Sequence, residues 1–291
     1  MKSVVIYVLI LVGVLSAFAA GQKQQISVRG SDAMIMLAQR WSEMLKTVRP
    51  DVSLNVNGGG PAGGINSLAS GHADVAQLPH KLSSAERQAI EKGRGSPVVE
   101  FPVAIESVVV YVHKSNPVSV LTLGQLRAIY TGKIGNWKEV GGKDAPIARI
   151  STETAVGGSL FFRETVLGGE EFDDVMRGYT NSKQMFTALG LEPNGIGFGS
   201  LATEPNVKAL RLKKDLNFPA VEATADNIRT MQYPTSRFLY WVVPAGMGPS
   251  LREVSNWVLS QQGQLVVESA GYFPLNAADR SKATGLIHEA H

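Results

Sequence analysis

The sequence contains no cysteine among its 291 residues. This absence excludes disulfide cross-links, thiol catalysis, cysteine-ligated zinc and the lipidated N-terminal cysteine of bacterial lipoproteins. Such a chain must be stabilised by its hydrophobic core. Without the N-terminal segment described below, roughly 270 residues remain. A chain of that length can bury such a core as one large domain or as two smaller ones.

The sequence also lacks a large net charge. Lys and Arg number 28 and Asp and Glu number 25, which gives a formal net charge of +3. A nucleic-acid-binding protein would show a clustered basic face, so we expect no nucleic acid partner. No group of His, Asp and Glu has the spacing of metal ligands, and we expect neither a metal nor a cofactor.

The N-terminus has the layout of a secretory signal peptide. Lys2 precedes an apolar run over residues 4–15, and the small-residue segment Ala17-Phe18-Ala19 follows. We predict that residues 1–20 are a cleaved signal peptide and that the mature protein, with its net charge lowered to +2, is periplasmic or secreted. The alternative is an uncleaved membrane anchor, because small and apolar residues continue to Ala20.

The most distinctive segment is residues 57–65, which holds five glycines in nine residues. An alternating apolar and polar pattern precedes it and predicts a strand, and Ile65, Leu68 and Ala69 follow at helical spacing. A glycine-rich turn at a helix N-terminus offers unpaired N–H groups and a positive dipole end, which suit an anion. The alternative is a flexible turn without a ligand. The segment does not match the P-loop or the dinucleotide-binding pattern, so nucleotide binding is not indicated.

Short apolar segments alternate with helical patterns along the first part of the chain and predict a parallel sheet with covering helices. Ser31 or Asp32 is predicted to cap the first helix, and Ser83 with Glu86 has the spacing of a capping box. Residues 251–269 are predicted to form one helix with Leu265 on its buried face. The order of elements fits two α/β halves better than one barrel.

Several blocks of the chain resemble the phosphate-binding proteins of bacterial ABC transporters, which have the type II periplasmic binding-protein fold. The similarity covers nearly the whole mature chain. The matching blocks are Gly30-Ser31-Asp32-Ala33-Met34, residues 57–65 with Leu68, Gly71 and Asp74-Val75-Ala76, an ordered series from Asn116-Pro117-Val118 through Asn136-Trp137 to Gly141-Gly142, Trp257-Val258-Leu259-Ser260, and Gly271-Tyr272-Phe273-Pro274-Leu275.

The resemblance implies a two-lobed α/β protein in which each lobe is a mixed, mostly parallel sheet flanked by helices, with a ligand cleft between the lobes. It implies a discontinuous first lobe of residues 26–107 and 229–283 and a second lobe of residues 108–228. The implied function is binding of phosphate or a related small oxyanion for uptake or sensing. The implied partner is an ABC transporter permease or a membrane sensor, and the implied state is a monomer.

The ligand loops depart from the family pattern at several positions. The first glycine loop reads Pro61-Ala62-Gly63 where the family carries a Ser-Gly-Thr element, and the third strand ends in Pro79-His80. The loop before the second-lobe helix retains Glu153 and glycines but lacks the family's Arg, Ser and Thr at their positions. Each lost donor costs about 1–3 kcal/mol when its partner is buried. We therefore expect weakened phosphate affinity or a changed anion.

The candidate ligand-binding residues lie in the loops that follow the strands, and the resemblance places them there. They are Ser31, Asp32, Ala33, Gly63, Gly64, His80, Thr152, Thr154, Gly157, Gly158 and Ser159. Asp32 is expected either to accept a proton of the anion or to cap its helix, and His80 either to supply a cation or to face solvent.

Two other functions remain open from the sequence. The fold can act as a partner-binding module whose ligand has changed or been lost. The chain can also be a secreted hydrolase if Ser31, Asp32 and His80 meet in one cleft. No G-x-S-x-G motif accompanies them, and we expect a binding protein rather than an enzyme.

Overall fold

The computed structural model describes residues 24–152 and 157–289. The predicted signal peptide therefore lies outside the described residues. The described strands are β1 (Gln24–Gly30), β2 (Val52–Gly59), β3 (Val75–Leu78), β4 (Val98–Ser107), β5 (Val109–His113), β6 (Val120–Thr122), β7 (Ala148–Thr152), β8 (Arg177–Tyr179), β9 (Gly195–Gly199), β10 (Val207–Ala209), β11 (Arg211–Lys213) and β12 (Ser236–Pro244).

The helices connect and cover these strands. They are α1 (Ile35–Val48), α2 (Gly60–Ala69), α3 (Ser84–Arg94), α4 (Leu123–Tyr130), α5 (Gly157–Thr165), α6 (Ser182–Leu191), α7 (Ala225–Arg229), α8 (Pro249–Leu259), α9 (Gln261–Ser269) and α10 (Ala277–Glu289), with short 3₁₀ helices at Asp32–Met34 and Trp137–Val140. Among the helices of the described segments, none combines the length and the apolar character needed to cross a membrane.

Two five-stranded sheets organise the molecule. The first has the order β2-β1-β3-β12-β4, and the second has the order β10-β5-β9-β7-β8. In the first sheet β1 pairs parallel with β2 and β3, while β12 runs antiparallel to β3 and β4. In the second sheet β7 pairs parallel with β8 and β9, while β5 runs antiparallel to β9 and β10. The predicted fold class of mixed sheets flanked by helices is confirmed, and in each sheet two pairings are parallel and two are antiparallel.

The reversed strand of each sheet is the one that enters from the other sheet. Strand β4 ends at Ser107 and β5 begins at Val109, so the chain passes between sheets at Val108. It returns at Thr235, immediately before β12. A strand that begins at the end of the sheet where its neighbours finish must run antiparallel to them. The carboxyl ends of the parallel strands in both sheets therefore face the two crossings.

The two crossings lie side by side. The Thr235 hydroxyl donates to the Val108 carbonyl at 2.6 Å, and the Val108 N–H donates to the Thr235 carbonyl at 3.3 Å. The first sheet uses residues up to 107 and again from 236, and the second sheet uses residues 109–209. The division into lobes of residues 26–107 with 229–283 and of residues 108–228 stays a prediction.

Aromatic side chains fill the core beside each sheet. Trp41 of α1 meets Trp241 of β12 edge to face at 5.4 Å, and the Trp41 indole N–H donates to the Gly263 carbonyl at 2.9 Å. Beside the second sheet, Phe162 stacks on Phe198 with ring centroids 4.0 Å apart. The large apolar area that such rings bury stabilises each half without any disulfide.

Local patterns predicted some helix ends correctly and others wrongly. The Ser83 capping box is confirmed, because the Ser83 side chain accepts from the Glu86 N–H at 3.2 Å and the Ser83 N–H donates to Glu86 Oε2 at 2.8 Å. Ser31 occupies the predicted N-cap position before Asp32–Met34, but its side chain makes no capping hydrogen bond there.

The single C-terminal helix predicted over residues 251–269 is wrong. The chain forms α8 and α9, which are separated at Ser260. The Ser260 hydroxyl caps α9 by accepting from the Gly263 N–H at 3.2 Å. Because this break restarts the helical phase, Leu265 does not lie on the buried face and is 58% exposed.

The glycine-rich helix α2 packs directly on the end of β1. A Cβ atom placed on Gly64 would lie 2.7 Å from the Gly30 Cα and 2.8 Å from the Arg29 carbonyl oxygen, whereas one placed on Gly63 would meet no atom within 4 Å. Only glycine at position 64 permits this close approach of backbone to backbone.

The two neighbouring glycines are therefore expected to respond oppositely to substitution by alanine. Gly64→Ala forces α2 away from β1 and is expected to lower the free energy of unfolding by about 1–3 kcal/mol. Gly63→Ala is the matched control and is expected to raise it by up to about 1 kcal/mol, because alanine is the better helix former. Urea denaturation of the two variants measures both effects. Equal effects of the two substitutions would contradict the packing described for α2.

Candidate functional site

A cavity of about 310 Å³ lies between the two sheets, beside the crossing at Val108. Its volume is at the lower end of the range for small-molecule pockets, about 300–1,000 Å³. Its lining comes mainly from strand ends and helix starts and consists of Met36, Glu106, Ser107, Val108, Thr152, Gly158, Thr180, Asn181, Ser182, Phe198, Gly199, Ser200, Ala270, Gly271 and Tyr272. The cavity is therefore at the carboxyl ends of the parallel strands, where open α/β sheets bind ligands.

Two helix N-termini meet this cavity. Gly158 is in the first turn of α5, and Ser182 is the first residue of α6. Asn181 caps α6, because its side-chain oxygen accepts from the Gln184 N–H at 3.0 Å. The first turns of both helices carry backbone N–H groups without helical partners, and both dipoles present their positive ends there. This arrangement favours a negatively charged ligand.

Hydroxyl groups add further donors to the lining. Thr152 ends β7, and its Oγ1 lies 3.3 Å from the hydroxyl of Ser159. Ser159 is fully buried and also donates to the Thr152 carbonyl at 3.3 Å. Of the residues predicted in this loop, Thr152 and Gly158 line the cavity, Ser159 positions Thr152, and Gly157 begins α5. Thr154 lies outside the described residues.

The residues predicted to bind the ligand in the loop after β1 are not part of the cavity lining. Ser31 is buried, and its N–H donates to the Gln77 carbonyl at 2.9 Å. Ala33 is buried too, and its carbonyl accepts a hydrogen bond from the hydroxyl of Tyr272, which is in the lining. The lining residues do not include Ser31, Asp32 or Ala33. Of the three, Ala33 supports the cavity wall, through its hydrogen bond with Tyr272.

The glycine-rich turn has a carboxylate of the protein itself beside it. Asp32 Oδ1 accepts from the Gly59 N–H at 3.1 Å, immediately before α2. The loop therefore binds a negative charge, as its sequence predicts, but the charge belongs to Asp32. Gly63 and Gly64 follow within α2 and are also absent from the lining.

His80 is exposed at the end of the loop after β3. Its Nδ1 is 3.1 Å from the Lys81 carbonyl oxygen, and its Nε2 is 3.9 Å from Glu86 Oε1. Among the described hydrogen bonds, none joins Ser31, Asp32 and His80 to one another, so the hydrolase alternative gains no support. Nor do the described residues contain a group of His, Asp and Glu able to hold a metal ion.

The sequence reasoning missed Glu106, the charged residue of the lining. Glu106 is only 6% exposed, and Arg237 approaches its Oε2 with Nε at 2.9 Å and with Nη2 at 2.8 Å. Arg237 also pairs with Glu164 of α5 at 2.8 Å, and its guanidinium lies 4.1 Å from the centre of the Phe161 ring. Burial raises the pKa of the Glu106 carboxyl, and Arg237 opposes part of that rise.

One signal for Glu106 was present in the sequence. Glu106 is the charged residue in a mostly apolar run over residues 101–112. Glutamate is rarely buried unless it is paired, so its place in that run indicates a buried partner or a site. The identity of the partner, 131 positions away at Arg237, is given only by the pairing of β4 with β12.

The raised pKa gives a testable dependence of stability on pH. The folded protein holds the Glu106 proton more tightly than the unfolded chain does, so this group adds stability as the pH falls through its folded pKa towards the ordinary value of 4.5. Glu106→Gln cannot gain that stability. We expect the free energy of unfolding of the variant, relative to wild type, to decrease as the pH falls from neutral towards the ordinary carboxyl value of 4.5. Urea denaturation at each pH measures it, and a relative stability that increases towards acid pH would contradict the assignment.

Comparisons with known proteins agree with this architecture. A model described as a PBP superfamily domain matches residues 17–262. The phosphate-binding protein PstS of Pseudomonas aeruginosa is 28% identical over 282 residues, covering 91% of this chain and 87% of that protein. Protein SphX of Synechococcus elongatus is 26% identical, with 91% of this chain and 82% of that protein covered.

Two solved structures are similar over almost the full described chain. A possible phosphate-binding protein from Planctomyces limnophilus superposes with a TM-score of 0.83 at 24% identity, covering 92% of this chain and 99% of that one. A putative phosphate ABC transporter substrate-binding protein from Clostridium perfringens, solved with bound phosphate, has a TM-score of 0.60 at 30% identity, covering 87% and 100%. The family model spans most of the sequence, so the chain belongs to the PBP superfamily, as its resemblance to the phosphate-binding proteins predicts.

Proposed function

We propose that the chain is an extracytoplasmic solute-binding protein that binds phosphate, or a related small oxyanion, in the cavity between the sheets. The observation that carries the proposal is the meeting of two helix N-termini, at Gly158 and Ser182, in a cavity that is also lined by hydroxyl groups. The names of the relatives and the phosphate bound in the Clostridium perfringens structure support the same ligand class.

The two sheets with their helices are the proposed lobes, residues 26–107 with 229–283 and residues 108–228. Closure about the crossings at Val108 and Thr235 would bring the lobes together around the anion. The closed protein would present its ligand to an ABC transporter permease or a membrane sensor. In this proposal the chain acts as a monomer in the periplasm or outside the cell, after removal of residues 1–20, and is not an enzyme.

The lining sets the expected strength of binding. The described lining contains no Lys, Arg or His, so the anion depends on neutral donors and on helix dipoles. Charge-assisted bonds from arginine are roughly twice as strong as neutral ones. We therefore expect phosphate to bind more weakly than at a site with an arginine clamp, with a Kd no tighter than about 1 μM, or about −8 kcal/mol.

Calorimetric titration tests the proposal directly. The mature protein is unfolded and refolded to remove any anion it carries, and it is then titrated with phosphate, sulfate, molybdate, phosphonates and small carboxylates. Phosphate is expected to bind with a Kd of about 1 μM or weaker. Binding of another anion alone would make the altered loops a change of specificity. No heat with any of these anions would refute the proposal in favour of a ligand-free partner protein.

Substitution of one hydroxyl locates the bound anion. Thr152→Val keeps the shape of the side chain but removes a donor from the lining, and loss of one buried hydrogen bond is expected to weaken phosphate binding about tenfold. Thr187→Val is the matched control, because Thr187 is exposed on α6 and bonds only the Lys183 carbonyl. Equal affinities in the two variants would place the anion elsewhere.

A further inference from the structure

The two walls of the cavity differ in their chemistry. The half of the chain that carries the second sheet supplies the hydroxyls of Thr152 and Ser182 and the starts of α5 and α6. The half that carries the first sheet supplies Met36 of α1 and, after α9, Ala270 and Tyr272. Free hydrogen-bond donors are therefore concentrated on one wall, and a large part of the opposite wall is apolar.

The polar side chains of the first-sheet wall already have partners within the protein. The Tyr272 hydroxyl donates its proton to the Ala33 carbonyl. The Ser107 hydroxyl accepts from the Ser236 hydroxyl at 3.2 Å. The carboxylate of Glu106 is paired with a guanidinium and has no proton to donate while it is ionised. This wall therefore contributes little to the binding of an oxyanion.

The glycine-rich turn adds no donors from the same side. Asp32 Oδ1 accepts from the Gly59 N–H at 3.1 Å, so a carboxylate of the protein already occupies the start of α2. Neither Asp32 nor the glycines of α2 line the cavity. An oxyanion in the cavity therefore finds its donors mainly at the starts of α5 and α6, and its other side meets an apolar surface.

The cavity has room for more than a bare oxyanion. A water molecule takes up about 30 Å³ in the liquid, so a volume of about 310 Å³ holds about ten non-hydrogen atoms, about twice as many as inorganic phosphate contains. Met36 is 52% exposed. Methionine is flexible and polarisable and adapts to apolar groups of different shape. The space beside the oxyanion is therefore bordered by a side chain suited to an apolar group.

We propose that the ligand of this cavity is a tetrahedral oxyanion with one apolar substituent, the chemistry shared by alkylphosphonates and alkyl phosphate esters. The oxyanion binds at the starts of α5 and α6, and the substituent packs on Met36 and Ala270. This inference rests on the proposed function, because it names the ligand class of the same site. The described lining offers no cationic side chain, and burial of the substituent adds binding free energy that such a side chain would otherwise supply.

A homologous series of ligands measures the contribution of the substituent. The mature protein, freed of bound anion by unfolding and refolding, is titrated calorimetrically with inorganic phosphate and with methyl-, ethyl- and propylphosphonate. Each buried methylene is expected to lower the Kd about fourfold, so propylphosphonate is expected to bind about fifteenfold more tightly than methylphosphonate. This series uses the wild-type protein alone and does not depend on the folding of any variant.

Met36→Gln locates the substituent. Glutamine has about the length of methionine but places an amide against the substituent, and we expect the gain from methyl- to propylphosphonate to fall at least about threefold. Met44→Gln is the matched control. Met44 lies about two turns along α1, is 45% exposed and borders a separate surface groove instead of the cavity. We expect this variant to keep the gain of wild type.

Propyl phosphate distinguishes the two sources of this chemistry. Tighter binding than that of propylphosphonate indicates an ester and weaker binding indicates a phosphonate, and either result accompanies the gain along the series that supports the inference. Binding of inorganic phosphate without that gain, or an equal gain in wild type and Met36→Gln, overturns the inference and leaves the proposed function intact. Failure of wild type to bind phosphate or any of the phosphonates refutes the proposed function itself.

Discussion

The pair of hydrogen bonds between Val108 and Thr235 holds together the two places where the chain passes from one sheet to the other. This junction fixes the direction of β5 and of β12, and it thereby turns the carboxyl ends of both sets of parallel strands towards one another. Ser107 and Val108, at the junction, are also in the wall of the cavity. The cavity is thus a consequence of the topology, and any rotation of one sheet against the other would change its shape.

The proposed anion site depends on a different balance of forces from a site with an arginine clamp. Backbone N–H groups at the starts of α5 and α6 are fixed in place by the helices, so they lose no side-chain entropy on binding. Their partial charges act only within about one helical turn. The carboxylate of Glu106 in the same lining is paired with Arg237. The start of α2 also favours a negative charge, and there the protein's own Asp32 supplies it beside Gly59.

Features that depend on neighbours in sequence were predictable. The Ser83 capping box and the glycine-rich turn at a helix start follow from patterns shorter than about ten residues, and the parallel order of β1, β2 and β3 follows from the alternation of strand and helix patterns. The break at Ser260 was missed because a capping serine inside a helical pattern resembles an ordinary polar position. The start of α6 was missed for a similar reason, since Asn181 and Gln184 form only a weak local signal.

The composition of the cavity was less predictable because it depends on distant parts of the chain. Thr152 and Gly158 were predicted through the family resemblance, and both are in the lining. His80 was predicted through the same resemblance, but its ring contacts its own loop and Glu86. The family resemblance identifies loops, and it does not determine which side chains turn towards a common space once individual residues in those loops have changed.

The ion pairs of Arg237 connect the chemistry of the cavity with the arrangement of the two sheets. Arg237 belongs to β12 of the first sheet, and it contacts Glu106 of β4 and also Glu164 of α5, which covers the second sheet. A proton on Glu106 would weaken the first of these pairs and leave more of the guanidinium charge for the second. One guanidinium therefore links the charge of the cavity wall to the contact between the halves, because it approaches Glu106 with Nε and Nη2 and bonds Glu164 with Nη1.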